Sequence, residues 1–403
     1  MTISHDIKRR LGAPAAAQMK DLPQNWLFLG VGYTAKALIS HLPKGLNLMG
    51  TSRNLDAWPQ GLKARVTGLE FTGEITAALK DALTQAEVII VSLPPSKAGD
   101  PFLAAVKGDI MRLAPNVRWA AYLSATSVYG DRAGQWAFED ELLKPVTARG
   151  KYRAMAELAW LETGLPLHLF RLAGISGGTY FGQSRNPFAR LKAGTARAVI
   201  KDGHIVNRIH AEDISRALLA SIAAPNPLRI YNLADGHPAP PQDVLRFAAR
   251  LADTPLPPEV GVDSPEISDM ARSFYSETKR ISNARARREL GWSPDFETYQ
   301  AGLMSIFKTS VSAQSAVMLA GYMDVQPARR DIIKEALPRH INLTRAEAGC
   351  LRFDVSEDAQ IEGRLNVVEI FNSEAAFTTH QRRTAASDWA EASQGCSRYY
   401  FKA

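Results

Sequence analysis

The chain has 403 residues, of which 46% are hydrophobic and 22% charged, a composition typical of a globular protein. No apolar run reaches the roughly 18 residues that cross a bilayer, and the N-terminus lacks the apolar core of a secretory signal, so neither a membrane partner nor export is expected. The net charge of +7 comes without a nucleic-acid-reading motif, so nucleic acid is not an expected partner.

A first domain is predicted over residues 25–307, after an N-terminal extension at 1–24. Apolar strands are predicted at 26–30, 46–51, 87–95, 119–124 and 167–174, and helices at 34–42 and 153–164. Apolar strands interleaved with helices are typical of a parallel sheet that is covered on both faces. The fold class predicted here is therefore α/β, with a Rossmann-like, doubly wound parallel sheet.

A second domain is predicted over residues 316–403, after a small polar linker at 308–315. Its strands are expected at 316–325, 350–355, 366–371 and 398–401, and its helices at 327–341 and 373–392. This β-α-β-β-α-β order predicts an α+β domain of the ferredoxin-like type.

A dinucleotide-binding loop is predicted in "FLGVGYTAKAL". Gly30 allows a tight turn after the first strand, Gly32 lets the backbone approach a pyrophosphate, and Ala35 lets the helix pack closely on the strand. The helix N-terminus would face the phosphates. The alternative is a glycine turn without a ligand, but the strand before and the helix after the loop favour binding.

The second strand ends in "GTSRN", which has no carboxylate to hold a ribose hydroxyl. Thr51, Ser52 and Arg53 suit a 2′-phosphate better, because arginine offers a planar, permanently charged fork. NADP is therefore favoured over NAD, and a surface arginine at a strand end is the alternative. Further cofactor contacts are predicted at Tyr33, Thr34, Leu93, Pro94 and Ser124.

Residues 26–306 resemble the extended and atypical branch of the short-chain dehydrogenase/reductase superfamily, of the NAD-dependent epimerase/dehydratase-like kind. The resemblance is carried by the segments "GVGYTA", "YLSATSVYGD", "RLAGISG", "RIHAEDIS", "YNLAD" and "KRISNARARRELGW". It implies an NAD(P)-dependent oxidoreductase or epimerase.

The catalytic positions implied by this resemblance are replaced. The family uses a Tyr-x-x-x-Lys pair and a Ser or Thr, whose positions fall on Arg149, Arg153 and Ala125. A guanidinium does not donate a proton at neutral pH, so the usual tyrosine mechanism is not expected. Tyr152 and Thr126 are candidates to stand in, and simple helix packing is the alternative for Tyr152.

Three other polar segments are not expected to provide the tyrosine and lysine chemistry of the family. The Tyr-x-x-x-Lys spacing at 275–279 lies far from the segment that reaches a nicotinamide, so Lys279 is expected to contact substrate or to be structural. The acids at 139–141 are typical of a solvated turn, and a buried acid–base pair is the alternative. His210 is expected to be structural, near a helix start.

Residues 316–403 resemble the antibiotic biosynthesis monooxygenase family, through "LPRHINLTRAEAGCLRFDV", "VVEIFNSEAAFTTHQ" and "SDWA". The resemblance implies a dimeric α+β barrel, and family members include cofactor-free oxygenases of quinols and anthrones as well as isomerases. Such oxygenation requires a base and the exclusion of water. His340, His380, Glu347 and Glu369 are the candidates, and the alternatives are sheet pairing for Glu369 and helix capping for His380. Trp389 and Phe371 are expected to line the pocket.

Cysteine and histidine usage fits this interpretation. Two cysteines are too few for a disulfide framework and fit a reducing compartment, which we predict to be the cytoplasm. The ferredoxin-like order implied by the resemblance puts Cys350 and Cys396 at opposite edges of a sheet, so they should not pair. The eight histidines lack metal-ligand spacing, so no metal is predicted.

The two resemblances together predict an NADP-dependent oxidoreductase or epimerase-like protein. It would be coupled to a cofactor-independent, monooxygenase-like domain, and act on a small cyclic carbonyl or quinone-like compound. The alternatives are an NAD(P)-binding redox sensor or regulator without dehydrogenase-type catalysis, and a scaffold in which neither domain turns over. A homodimer through the C-terminal domain is also predicted.

Overall fold

The computed structural model describes residues 22–310 and 316–403, which form two compact units. The first unit contains the described residues up to Arg185, together with Val199–Gln242 and Glu259–Tyr299. The second contains Asn186–Ala198, Asp243–Pro258 and the described part of Gln300–Ala403. Most of the predicted extension and of the predicted linker lies outside the described residues, and residues 308–310 belong to the end of a helix.

The strands in chain order are β1 (Asn25–Leu29), β2 (Asn47–Ser52), β3 (Thr67–Glu70), β4 (Val88–Val91), β5 (Trp119–Ala125), β6 (Trp136–Ala137), β7 (Leu167–Leu172), β8 (Gly174–Tyr180), β9 (Gln183–Arg185), β10 (Ala198–Ile200), β11 (Arg208–His210), β12 (Ile230–Leu233), β13 (Glu259–Gly261), β14 (Arg280–Ile281), β15 (Val317–Asp324), β16 (Cys350–Glu357), β17 (Arg364–Phe371) and β18 (Ser397–Lys402). The helices are α1 (Tyr33–His41), α2 (Gln60–Lys63), α3 (Ala77–Gln85), α4 (Pro101–Val106), α5 (Ile110–Leu113), α6 (Ala148–Leu161), α7 (Phe188–Lys192), α8 (Ala211–Ala223), α9 (Pro241–Ala252), α10 (Asp269–Ser273), α11 (Ala284–Leu290), α12 (Tyr299–Ser310), α13 (Arg330–Arg345), α14 (Glu374–Ala385) and α15 (Asp388–Ala392).

The first unit is built on a seven-stranded parallel sheet of order β12-β7-β5-β4-β1-β2-β3. Alternate residues of β1 enter two different cores. Trp26 and Phe28 pack on one face, whereas Leu27 and Leu29 pack on the other. Burial on both faces explains the near-continuous apolar strands and confirms the predicted Rossmann-like sheet. The strand order reverses at β1, so a crevice for a ligand is expected at the carboxyl ends of β1 and β4.

The second unit contains a four-stranded antiparallel sheet of order β16-β17-β15-β18, which confirms the predicted ferredoxin-like domain. The helix predicted over 373–392 is instead two helices, α14 and α15. The Ser387 hydroxyl donates to the Thr384 carbonyl at 2.7 Å and so ends α14. Both cysteines are free, and β16 and β18 lie at opposite edges of the sheet, as expected.

Both faces of this antiparallel sheet are buried at its centre. Leu319 of β15 lines the cavity on the face covered by α13–α15, where the neighbouring Phe353 is buried, and the next residue, Ala320, points to the other face and is fully buried. Arg352 of β16 donates from that region to the carbonyls of Leu251 and Arg250 at the end of α9, at 2.6 and 2.8 Å. The predicted homodimer stays a prediction, and the centre of this face is not available to it.

Among the described residues, no helix combines the length and the apolar character required to cross a bilayer.

Candidate functional site

The first candidate site is the loop after β1. Gly30 has a φ of +92°, and a Cβ there would lie 3.1 Å from both the Leu93 side chain and the Ser92 hydroxyl. Only glycine suits this backbone conformation and space. The Gly30 N–H donates to Thr51 Oγ1 at 2.8 Å, and the Ser92 hydroxyl donates to the Gly30 carbonyl at 2.7 Å. The ends of β2 and β4 therefore hold the loop in place.

The N-terminus of α1 is suited to an anion. Gly32 precedes the helix and provides no side-chain cap, and the first turn carries no acidic residue, so its N–H groups can face a phosphate. Thr34 and Ala35 are buried in this turn. Tyr33 is also buried, and its hydroxyl donates to the Gly178 carbonyl at 2.9 Å, so the Tyr33 side chain has a structural contact.

The three residues predicted to select the cofactor differ in their exposure. Thr51 is buried and supports the glycine loop, because its hydroxyl accepts from Gly30. Ser52 accepts from the Asn54 N–H at 3.2 Å within a turn. Arg53 is exposed directly after β2. Arg53 is therefore the member of the trio whose side chain is best placed to meet a 2′-phosphate.

A buried ion pair lies behind the predicted nicotinamide end of the crevice. Leu93 and Pro94 follow β4, where Leu93 is half-buried and Pro94 is exposed. Ser124 at the end of β5 is buried and donates to Glu157, and Arg171 binds both oxygens of that carboxylate, with a shortest distance of 2.8 Å. The predicted contact residue Ser124 therefore serves the interior network.

Arg153 occupies the position where the family lysine would lie. Its guanidinium donates to the Tyr122 hydroxyl at 3.0 Å, to the Leu123 carbonyl at 3.3 Å and to the Leu93 carbonyl at 3.4 Å. The guanidinium is thereby fixed at the carboxyl ends of β4 and β5, as a permanent positive charge at the edge of the crevice.

The other replaced position is at the surface. Arg149 is exposed, stacks over the Phe274 ring at 4.9 Å and donates to Ser273 at 3.3 Å. Tyr152 on α6 and Thr126 in the turn after β5 are both half-buried, and α6 packs against that turn. Their predicted roles as proton donors stay predictions.

One sequence interpretation in this unit is wrong. Glu139 was expected in a solvated turn, yet it is 5% exposed and accepts from the Asn232 N–H at 3.0 Å. Asp140 beside it is exposed and pairs with Arg285.

The structural interpretation of His210 is confirmed, and Lys279 has a structural contact. His210 caps α8 by accepting from the Glu212 N–H at 3.3 Å. Lys279 of the Tyr-x-x-x-Lys spacing is buried and donates to the Gly130 carbonyl at 2.8 Å.

The second candidate site is a cavity of about 550 Å³ in the second unit. It lies between the antiparallel sheet and helices α13–α15. Apolar side chains form much of its wall, including Leu319, Phe353, Val367 and Trp389. Its volume is in the range of pockets for small ring compounds.

His380 lines this cavity and forms a hydrogen-bonded pair with Glu347. His380 Nδ1 lies 2.8 Å from Glu347 Oε2, and Arg383 binds the other Glu347 oxygen at 2.6 Å. Arg383 also donates to Thr344 Oγ1 at 2.6 Å. An Arg383 nitrogen lies 3.5 Å from His380 Nδ1, but the shorter carboxylate contact decides the tautomer. We assign the proton to Nδ1, which leaves Nε2 as the basic nitrogen, 3.4 Å from the Thr384 hydroxyl.

Glu369 lies close to His380 Nε2. It is 7% exposed on β17, and its Oε2 is 3.7 Å from His380 Nε2, too far for a hydrogen bond. No group within the described residues donates to this oxygen. Burial, reinforced by the negative charge of Glu347, raises the pKa of Glu369 to about 7.

His340 forms part of the wall. Its ring stacks on Trp389 with centroids 4.6 Å apart and planes 4° from parallel. Burial, with the nearby Arg383, lowers the pKa of His340 to about 3, so the ring is neutral. Trp389 lines the cavity as expected, but the expectation for Phe371 is wrong, because Phe371 packs on His380 with centroids 4.8 Å apart and does not line the cavity.

The four residues predicted for this domain are brought together: His380, His340, Glu347 and Glu369. Their catalytic roles stay predictions. Sequence reasoning missed Arg383, although its spacing could have indicated it. Arg383 follows His380 by three residues on a helix, which places both side chains on one face.

Comparison with known proteins gives a match for each unit. The family model described as antibiotic biosynthesis monooxygenase matches residues 316–392. A conserved protein of unknown function from Silicibacter pomeroyi DSS has a solved structure with 42% sequence identity and a TM-score of 0.65, over 70% of this chain and 98% of that chain. UDP-glucuronic acid 4-epimerase from Bacillus cereus, solved in complex with NAD, shares the fold at 14% identity and a TM-score of 0.56, over 71% of this chain and 99% of its own.

A curated relative matches a shorter stretch. Protein YeeZ of Escherichia coli (strain K12) is 34% identical over 168 residues, which are 40% of this chain and 57% of YeeZ. The chain thus spans little more than half the length of that relative.

Proposed function

This chain belongs to the same family as the conserved protein of Silicibacter pomeroyi DSS and carries an antibiotic biosynthesis monooxygenase domain, and we propose that it is an NADP-binding oxidoreductase with two reaction centres. The second domain would remove a proton from a small cyclic carbonyl or quinol-type compound, which then reacts with O₂. One observation carries this proposal, namely His380 at a cavity with apolar walls, with its Nδ1 held by Glu347 at 2.8 Å and its Nε2 3.4 Å from the Thr384 hydroxyl.

His380 is suited to act as the base. Burial lowers the pKa of His380 below its usual range, although the hydrogen bond to Glu347 opposes this, so the ring is neutral and can accept a proton at neutral pH. Glu347 would stabilise the imidazolium that forms, as carboxylates do in Asp-His pairs. Arg383 orients Glu347 by its 2.6 Å hydrogen bond. Glu347 and Arg383 are therefore positioning residues.

The proposed oxygenation balances without a cofactor in this domain. A ring methylene beside a carbonyl gives one proton to His380, and the resulting anion gives electrons to O₂. In the overall reaction, the CH₂ group and O₂ become a new C=O group and one water molecule. The apolar walls formed by Phe353, Val367 and Trp389 would exclude solvent from the anion.

The direct test uses anthrone, a tricyclic ketone with an acidic methylene. We expect the purified protein to accelerate O₂ uptake and anthraquinone formation without NADPH or added metal. Heat-unfolded protein is the control, because it keeps the composition but loses the cavity. O₂ uptake no faster than in buffer would contradict the proposal.

Glu347→Gln should reduce the oxygenation rate and move its pH dependence. The amide removes the charge that favours protonated His380, so part of the roughly 10²–10⁴-fold effect of a general base should be lost. Because that charge raises the pKa of His380, its loss should shift the low-pH fall in rate to still lower pH. Steady-state rates from pH 4 to 8 measure both effects, and Glu335→Gln, at an exposed carboxylate of α13, is the control. An unshifted pH profile would exclude this role.

The first domain is proposed to bind NADP. The glycine loop leaves no room for a Cβ at Gly30, the first turn of α1 offers its N–H groups, and Arg53 is exposed after β2. NADP, when bound, would supply hydride chemistry. Tyr152 and Thr126 are the proposed sources of a proton, since Arg153 serves as a fixed charge.

Arg53→Ala should weaken NADPH binding and leave NADH binding unchanged. A hydrogen bond to a charged group contributes about 1.5–3 kcal/mol, which corresponds to a roughly 10- to 100-fold change in Kd. Fluorescence titration with each nucleotide measures the change. The matched control is Arg118→Ala, at an exposed arginine directly before β5 and thus at the amino ends of the parallel strands, away from the crevice. Equal effects on NADPH and NADH would contradict the assignment of Arg53.

A second function is favoured by the loss of the family tyrosine and lysine. With Arg149 packed on Phe274 and Arg153 held by three oxygens, the first domain could bind NAD(P) without turnover, as a redox sensor or regulator. Menadione, a quinone, distinguishes the two. Steady oxidation of NADPH by menadione supports the oxidoreductase, and tight NADPH binding without oxidation supports the sensor.

A further inference from the structure

The antiparallel β8–β9 hairpin lies against the start of α1, the helix that follows the glycine loop. Tyr33 is the first residue of α1, and its hydroxyl donates to the Gly178 carbonyl of β8 at 2.9 Å. Lys36, about one turn further along α1, donates to the Gln183 side chain of β9 at 3.2 Å. Each strand of the hairpin is therefore held on α1, near the end that the proposed nucleotide would contact.

Arg185 ends this hairpin and is the only basic residue in it. It is exposed, and its Cζ lies 5.4 Å from the centre of the Tyr33 ring. No carboxylate among the described residues forms an ion pair with Arg185. Tyr33 directly follows Gly32, the glycine that lets the backbone approach a pyrophosphate. The hairpin thus places an unpaired guanidinium beside the first residue of α1.

The charges around Arg185 favour an anion. Residues 174–185 contain no carboxylate, and the first turn of α1 contains none either. One acid, Glu212 of α8, faces Tyr33, and its carboxylate accepts from the Tyr180 hydroxyl at 3.4 Å. Arg185 and the N-terminus of α1 therefore combine two sources of positive potential, a guanidinium and the end of a helix dipole.

We propose that Arg185 binds the pyrophosphate of the nucleotide, together with the N–H groups at the N-terminus of α1. The inference rests on the proposed function, because it requires NADP at the glycine loop. It gives the two exposed arginines separate tasks. Arg53 selects the 2′-phosphate, whereas Arg185 binds a group that NADPH and NADH share.

Arginine is suited to this task because its planar fork donates two parallel hydrogen bonds to phosphate oxygens. The Tyr33 ring restricts the Arg185 side chain before a nucleotide arrives, so less conformational entropy is lost on binding. Tyr33, which was predicted as a cofactor contact, would then act through Arg185. It is a positioning residue in this account, because its hydroxyl is held by Gly178.

Arg185→Ala should raise the Kd of NADPH and the Kd of NADH by the same factor, about 10- to 100-fold, as expected for the loss of a hydrogen bond to a charged group. Fluorescence titration of the full-length protein with each nucleotide measures both values. The matched control is Arg112→Ala, at an exposed arginine that pairs with Asp109 in the same turn, and it should leave both values unchanged.

Two nucleotide fragments separate the tasks of the two arginines. 5′-ADP carries the paired phosphates without a 2′-phosphate, whereas 2′-AMP carries its phosphate only at the 2′-oxygen. Displacement of bound NADPH by each fragment gives their Kd values. Arg185→Ala should weaken 5′-ADP and leave 2′-AMP unchanged, and Arg53→Ala should do the reverse. A purely structural role of Arg185 would weaken both fragments equally.

The outcomes distinguish this inference from the proposed NADP site. If the wild-type protein binds neither nucleotide, the NADP site and this inference both fail. If Arg185→Ala binds both nucleotides as tightly as the wild-type protein, this inference fails and the NADP site stands. A loss confined to NADPH and 2′-AMP, or an equal loss of both fragments, also overturns the assignment of Arg185 to the pyrophosphate.

Discussion

His380→Gln is expected to lower the rate of anthrone oxygenation by about 10²–10⁴-fold, the usual contribution of a general base. Glutamine is close to histidine in size and can donate to Glu347, but it has no basic nitrogen to face the cavity. The kcat should therefore fall while KM changes little, because the apolar wall that binds the ring is unchanged.

The control for this variant is His237→Gln. His237 is an exposed histidine of the first unit and contacts the Glu297 carbonyl at 2.7 Å. It should keep the wild-type rate. The unfolding temperatures of the two variants are measured alongside, to show that each is folded under the assay conditions. A His380→Gln protein that keeps its oxygenation rate within about threefold would exclude the base role.

Arg171→Leu is expected to destabilise the first unit by about 3–5 kcal/mol, because it leaves Glu157 buried without its cation. Arg171 and Glu157 have side chains 4% and 3% exposed and are joined at 2.8 Å. Arg171 also donates to the Tyr129 hydroxyl at 2.9 Å. Six of the seven tryptophans lie in the first unit, so tryptophan fluorescence during denaturant unfolding reports mainly on that unit.

Two control variants test whether the unpaired charge of Glu157 causes the loss of stability expected for Arg171→Leu. The double variant Arg171→Leu with Glu157→Leu removes both charges, and it should recover much of the lost free energy of unfolding, because no unpaired charge stays buried. Arg118→Ala, which breaks the exposed pair with Glu87, should cost no more than about 1 kcal/mol. A single Arg171→Leu variant as stable as Arg118→Ala would show that the ion pair is not what stabilises this core.

The parts of the fold that could be predicted are those with strong local patterns. Apolar runs such as Val88–Val91 have no polar face, so they fit only a sheet that is covered on both sides. The turn at Gly30 follows from the glycine spacing alone. In the second unit the order of strands and helices sufficed, although the break between α14 and α15 depends on a side-chain bond from Ser387 that periodicity does not show.

The parts of the site that could not be predicted depend on contacts far apart in sequence. A hydroxyl at a strand end can face a ligand or the protein, and Thr51 and Ser124 both face the protein. Glu139 is buried against the backbone of Asn232, whose N–H group it accepts from. Asn232 lies 93 residues later in the chain, so the local sequence does not show this contact. Local sequence therefore identified residue types near the crevice, whereas their orientation was set by the packed fold.

The most direct test of the central claim is deuterium exchange into the methylene of anthrone, measured by mass spectrometry in D₂O without O₂ and without NADPH. This isolates proton removal by His380 from every later step. We expect the wild-type protein to accelerate exchange well above buffer and His380→Gln to match buffer. Exchange that is equal in the two proteins, or no faster than buffer in either, would contradict the claim that this cavity removes a proton from its substrate.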